Sequence, residues 1–84
     1  MEKEIRILGI LVSDRLNAAT HVQETLTKFG CSIKTRLGLH EVSEKHCSTK
    51  GLLILELAGD VTEMDKLENA LLAIEGIDVQ KMRF

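Results

Sequence analysis

The side chains best suited to specific chemistry are few: His21, His40, His46, Cys31 and Cys47. His40, His46 and Cys47 fall within eight positions of one another, around a polar stretch, while His21 and Cys31 stand elsewhere. Imidazole nitrogen and thiolate sulfur are suitable ligands for nickel, zinc or copper. Ligands from two packed chains would complete a square or tetrahedral shell. The spacing matches no zinc ribbon or thioredoxin motif. The plain alternative is that His40 and His46 are solvated loop residues and Cys31 a small core residue. A metal-binding protein using His40, His46 and Cys47 is thus one reading of the chain.

Other chemistry has less support. Glu63, Asp65, Glu68 and Glu75 stand beside Lys66 in a helical pattern and read as a wetted helix surface. No pair of carboxylates is isolated among apolar residues, where burial would raise a pKa. No nucleophile and base can be matched, so an enzyme is not expected. The turn Val12-Ser-Asp-Arg-Leu-Asn17 has no glycine and cannot be a dinucleotide or P-loop cradle. No cofactor is expected. The amides at the start of the following helix remain suited to an anion such as a carboxylate.

These residues sit in a chain of 84, which forms one domain spanning 1–84. The apolar fraction is 44% and the net charge −2, enough for a core and without the basic excess that phosphate binding needs. Phe29 and Phe84 are too few aromatics for a base-stacking platform. Direct nucleic-acid binding is not expected. No apolar run approaches a membrane span, and the acidic start does not look like a signal peptide. The expected location is the cytoplasm, with both cysteines reduced.

The hydropathy pattern gives the elements that must position the candidate groups. Glu4 to Val12 reads as a strand apolar on both faces, with Ile5, Ile7 and Leu11 on one side and Leu8, Ile10 and Val12 on the other. Asp14 or Ser13 caps a helix that runs to about Phe29, with Ala18, Val22, Leu26 and Phe29 on its apolar stripe. Gly30 fits a left-handed C-terminal cap. Cys31 to His40 is a second strand, with Cys31, Ile33, Leu37 and Leu39 on one face and Ser32, Lys34, Arg36 and His40 on the other. Gly38 within it marks a bulge, a close backbone approach or a plain bend. Glu41 to Lys50 reads as a hairpin loop with room for frayed strand at either side, and Gly51 opens the third strand, Leu52 to Leu57. Asp60 and Glu63 have capping-box spacing before a second helix with Met64, Leu67, Leu71 and Ile74 on its stripe. Gly76 closes it. The fourth strand, Ile77 to Phe84, turns Ile77 and Val79 one way and Met82 and Phe84 the other.

The order strand, helix, strand, strand, helix, strand is that of an α+β, ferredoxin-like βαββαβ sandwich. Right-handed crossovers place both helices on one face of a four-stranded antiparallel sheet, with the first and third strands central. The helix-free face is expected to carry Leu8, Ile10 and Val12 with Leu52 and Ile54, or the opposite registers, rimmed by Arg6, Lys34, Arg36 and Glu56. The first set is the expected homo-oligomer interface, in a dimer or a tetramer, since a large apolar patch is uncommon on monomers.

Nearly the whole chain resembles the family of regulators named for the iron-only hydrogenase system. Their fold is similar to amino-acid-binding ACT domains and to the C-terminal domain of nickel-responsive repressors. The resemblance is carried by Arg6-Ile-Leu-Gly-Ile-Leu-Val-Ser-Asp-Arg15, by Val22, Leu26 and Phe29, and by Ile33-Lys-Thr-Arg-Leu-Gly-Leu-His40. Leu52-Leu-Ile-Leu-Glu-Leu57 and Leu71-Leu-Ala-Ile-Glu-Gly-Ile-Asp-Val79 complete it. It implies an oligomeric ACT-like regulator, a transcriptional regulator or ligand sensor without its own DNA-binding segment. The small-molecule effector would sit where the loop after the first strand meets a neighbouring chain. By that resemblance the ligand-binding residues are Ser13, Asp14, Arg15 and Asn17, with Arg36 and His40. An adaptor with no ligand at all is the third reading.

Overall fold

The computed structural model describes residues 4–13, 17–42 and 47–84, with backbone alone for 39–42 and 47–50. Its elements are β1 (Arg6–Val12), α1 (Ala18–Lys28), β2 (Ile33–Val42), β3 (Cys47–Leu57), α2 (Val61–Leu72) and β4 (Ile77–Arg83), with a 3-10 turn at Gly30–Ser32. The sheet is antiparallel in the order β2-β3-β1-β4. The two strands that are apolar on both faces occupy the centre, as their hydropathy requires.

Register decides which face is which. Leu8 pairs with Leu55 and Ile10 with Leu53, whereas Gly9 pairs with Ile54 and Leu11 with Leu52. Leu8, Ile10, Val12, Leu55 and Leu57 are buried with Ala18, Val22 and Leu26 of α1 and Met64, Leu67 and Leu71 of α2. The helices therefore cover Leu8, Ile10 and Val12, and the expectation that these three line the open face is wrong. Leu52 and Ile54 do lie on the open face, together with Ile7 and Leu11. Side chains alternate along a strand, so Leu8 and Leu52, in opposite parities of this ladder, cannot share a face.

Several local readings also change. The last turn of α1 ends in Phe29 (φ −106°), and Gly30 begins the 3-10 turn instead of adopting a left-handed cap. That turn takes up Cys31, which is exposed and neither strand nor core. β2 then carries one residue too many. Ile33 pairs with Leu57 and Thr35 with Glu56, leaving Lys34 as a bulge. Ile33 consequently packs on the core while Leu37 lies on the open face opposite Ile54, not on one face as plain alternation implies. The hairpin is longer than its polar sequence suggested, because Glu41–Val42 and Cys47–Lys50 belong to the strands. Ladder hydrogen bonds there hold backbone whatever the side-chain pattern. No close backbone approach explains Gly38: the nearest atom to a Cβ on it would be the side-chain Leu53 Cδ2 at 3.4 Å, an ordinary contact.

The second half follows its sequence closely. Asp60 caps α2, its carboxylate accepting from the Thr62 amide at 3.1 Å. Glu63 turns to Lys66, 2.9 Å away. Gly76 adopts φ 87°, a left-handed conformation that costs little only for glycine.

Candidate functional site

The resemblance-derived residues gather, in part, at one end of the sheet. β1 exits at Val12, and the next residue, Ser13, donates its amide to the Gly76 carbonyl at 3.0 Å. This bond ties the start of the β1–α1 turn to the α2–β4 turn. Asn17 ends the turn in the left-handed region (φ 55°), a conformation Asn tolerates better than most residues, and it is the N-cap of α1. Its side chain makes no capping hydrogen bond. Asp14 and Arg15 lie outside the described residues, and α1 begins at Ala18 with Asn17 as its N-cap, so the expectation that Asp14 or Ser13 caps it is wrong.

His40 stands in the same transverse row, which reads His40, Gly51, Val12, Ile77. Only a glycine separates it from the residue preceding Ser13. Arg36 is elsewhere. It belongs to the row of Leu55 and Leu8, four positions back along β2, or roughly 13 Å at the rise of a strand. Ser13, Asn17 and His40 are thus brought to one sheet end within a chain, and Arg36 is not.

Of the metal reading, His46 lies outside the described residues. His40 and Cys47 belong to the paired strands, opposite Gly51 and Val42. Among the described residues no group of three or more His, Cys, Asp or Glu side chains is placed to hold a metal ion.

The open face of the sheet is the larger feature. Its rows are Leu37, Ile54, Gly9, Gln80 and Thr35, Glu56, Ile7, Met82, and a further row joins Leu52 and Leu11 to Asp78. Ile5 and Phe84 extend it by a reciprocal pair of backbone hydrogen bonds of 3.3 and 2.9 Å. Leu11 is 46% exposed and Phe84 73%, and Ile5, Leu37 and Met82 lie between them. Glu56 is the charged side chain nearest the middle. It accepts from the Thr35 hydroxyl at 3.1 Å, with Lys34 Nζ 3.7 Å away.

Two features had no counterpart in the sequence reading. One is an open groove of about 540 Å³ between α1 and the α2–β4 turn, lined by His21, Glu24, Thr25 and Lys28 and by Ala73 to Glu75. Its walls come from the wet side of α1, where spacing carries no signal. The other is an ionic cluster on the helix side. Arg6, expected on the rim of the open face, is 1% exposed. Its Nε bonds Glu4, and its Nη1 donates to Asp65 at 2.8 Å and Glu68 at 3.0 Å. Lys81 closes on Glu68 at 2.9 Å and Arg83 on Glu4 at 2.9 Å. Hydrogen bonds from Arg83 and Arg6 hold the Glu4 carboxyl at about 2, well below its ordinary 4.5. The signal was present: Arg6 shares the parity of Leu8 and Ile10, and Asp65 and Glu68 are one helical turn apart.

No family model matches the chain, and no curated protein matches it. Solved structures do. The chain is similar to an uncharacterized protein of Thermotoga maritima, 29% identical over 98% of this chain and 99% of that one, with a TM-score of 0.80. It is similar in fold to the ACT domain of GTP pyrophosphokinase from Chlorobium tepidum, with 15% identity over 93% and 96% of the two chains and a TM-score of 0.62. It also resembles the regulatory subunit of aspartate kinase from Thermus thermophilus, at 17% identity, 94% of this chain, 50% of that one and a TM-score of 0.52. The fold is ferredoxin-like, of the ACT type. Among the described residues no helix is long and apolar enough to cross a membrane.

Proposed function

We propose that this chain is a small regulatory module of the ACT type, of the kind found in the iron-only hydrogenase regulators. It self-associates and senses a small molecule rather than catalysing a reaction. The observation that carries the reading is the open sheet face, where Ile5, Leu11, Leu37, Met82 and Phe84 lie exposed on the side the helices leave uncovered. A second copy related by a two-fold axis is the simplest cover for such a face. The ACT domain and the aspartate kinase regulatory subunit that share the fold support a regulatory role.

The effector site in this reading is the sheet end around Ser13, Asp14, Arg15 and Asn17, with His40 in the adjoining row. The start of α1 offers amides to a carboxylate. Arg36 lies too far along β2 to reach that turn within its own chain, so it would pair with a carboxylate held by a neighbouring chain.

Native mass spectrometry of untagged protein, before and after mild activation, tests both halves together. An oligomer carrying a small-molecule adduct is expected, and the adduct's mass identifies the effector class. An effector that binds only the folded state must also raise Tm. A bare monomer would overturn the reading, and one metal ion per chain or per pair would replace it with the metal-binding protein.

A further inference from the structure

Among the described side chains the open face carries three charges, and two of them are negative. Glu56 stands on the central strand β3, Asp78 on the edge strand β4, and Lys34 reaches in from the β2 bulge. Asp78 is exposed and sits in the row of Leu11 and Leu52, four positions along β3 from Glu56, or roughly 13 Å at the rise of a strand. Glu56 is the charge set among apolar neighbours. Ile7 lies directly opposite it on β1, Met82 is next in the row, and Ile54 precedes it on the same face.

In the free chain the Glu56 carboxylate has two protein partners. The Thr35 hydroxyl donates to Oε1 at 3.1 Å, and Lys34 Nζ is 3.7 Å from Oε2 on a side chain that is 65% exposed. An ion pair so open to solvent contributes little, and water completes the solvation of the carboxylate.

Covering the face removes that water. A carboxylate taken out of water needs partners that replace it, and otherwise it takes a proton. A second copy brings no surplus of cations, because it presents the same three groups, two carboxylates to one ammonium. Closing the face also brings like charge toward like, which again favours the protonated form.

We infer that Glu56 couples association to proton uptake, so that copies bind one another through the open face more tightly as the pH falls. The proton comes from solvent and ends on a Glu56 carboxylate oxygen. Thr35 can still donate to the neutral carboxyl. Association that binds protons is strengthened by acid. One proton per copy is two per pair, so Kd changes by up to about a hundredfold per pH unit where the coupling is complete. This inference rests on the self-association through the open face proposed above and adds its regulation.

Sedimentation velocity on the full untagged chain at pH 5, 6, 7 and 8, at fixed ionic strength, tests it. Kd should fall at least tenfold from pH 8 to pH 5. Glu56→Gln has the shape of the neutral carboxyl and keeps an oxygen for Thr35. It should associate at pH 8 about as tightly as the wild type does at pH 5, and its Kd should change less than threefold across the range. Asp78→Asn and His21→Gln should keep the wild-type slope. A second measurement needs no variant: the heat of diluting the wild-type oligomer, taken at pH 6 in buffers of low and high ionisation enthalpy, counts the protons released on dissociation. A wild type that associates with a Kd independent of pH overturns this inference alone, as does an unchanged slope in Glu56→Gln or a proton count of zero. A monomer at every pH overturns the self-association as well.

Discussion

Arg6 enters the helix-covered side of the sheet with carboxylates from three places around it: Glu4 two positions back, and Asp65 and Glu68 on α2. Burying a guanidinium is costly without such partners, and Nη2 is buried with no protein partner. Replacing Arg6 with Leu should destabilise the chain by about 3 kcal/mol, near the lower end of what breaking a buried ion pair costs, because Asp65 keeps access to water. Urea denaturation measures it. The same cluster sets an acid limit. Glu4 titrates at about 2 in the folded chain against an ordinary 4.5. Its contribution is fully present above pH 4.5 and is lost as the pH falls from there toward 2. Tm should drop across that window, and Glu4→Gln should flatten the drop while lowering Tm at neutral pH. A profile unchanged by the substitution would show that Glu4 is not the group responsible.

At the scale of elements, the strands and helices were legible because their apolar residues recur at the right periods. Asp60 announced the start of α2 by type alone, whereas α2 ends at Leu72 with Ala73 as its C-cap and Gly76 instead turns the chain into β4. What could not be read was parity. β1 is apolar on both sides, so its composition does not say which side the helices take; only pairing with β3 does. The buried Arg6 argues against its side being core until Glu4, Asp65 and Glu68 are seen beside it. In β2 a single bulge divides Ile33 from Leu37, and bulges leave no compositional mark when Gly or Pro is absent from them. The candidate site was legible to the same degree. Ser13 and Asn17, four positions apart, follow the end of β1 and precede the start of α1, whereas joining His40 to that sheet end needed the register across Gly51. Parity has a direct test. Leu8→Ala should cost about 2–5 kcal/mol, as for other fully buried leucines, and Leu11→Ala within about 0.5 kcal/mol in the isolated chain. Equal costs in dilute protein would mean that both sides of β1 are core.

For the whole molecule the issue is an asymmetry of cover. Two helices shield one side of four strands, and the other keeps Leu11, Leu37, Met82 and Phe84 in contact with solvent. Association through that side should respond to charge. Leu11→Glu should reduce the native mass measured by light scattering and leave the far-ultraviolet circular dichroism unchanged, since Leu11 lies outside the buried core. An unchanged mass would mean that the open side is not where copies meet.

Lys34 gives β2 one residue more than its ladder with β3 can use. Removing a residue from within a strand ordinarily turns everything after it inside out. Here the surplus is already excluded from pairing, so deleting Lys34 should leave Thr35 to Leu39 opposite the same neighbours, and the shortened chain should melt as one cooperative unit. What it would lose is the kink. The hairpin's outer margin would straighten and become receptive to stray strands, so the deletion variant should fold correctly yet precipitate at lower concentration than its parent. On this reading one spare lysine contributes to colloidal lifetime and almost nothing to shape.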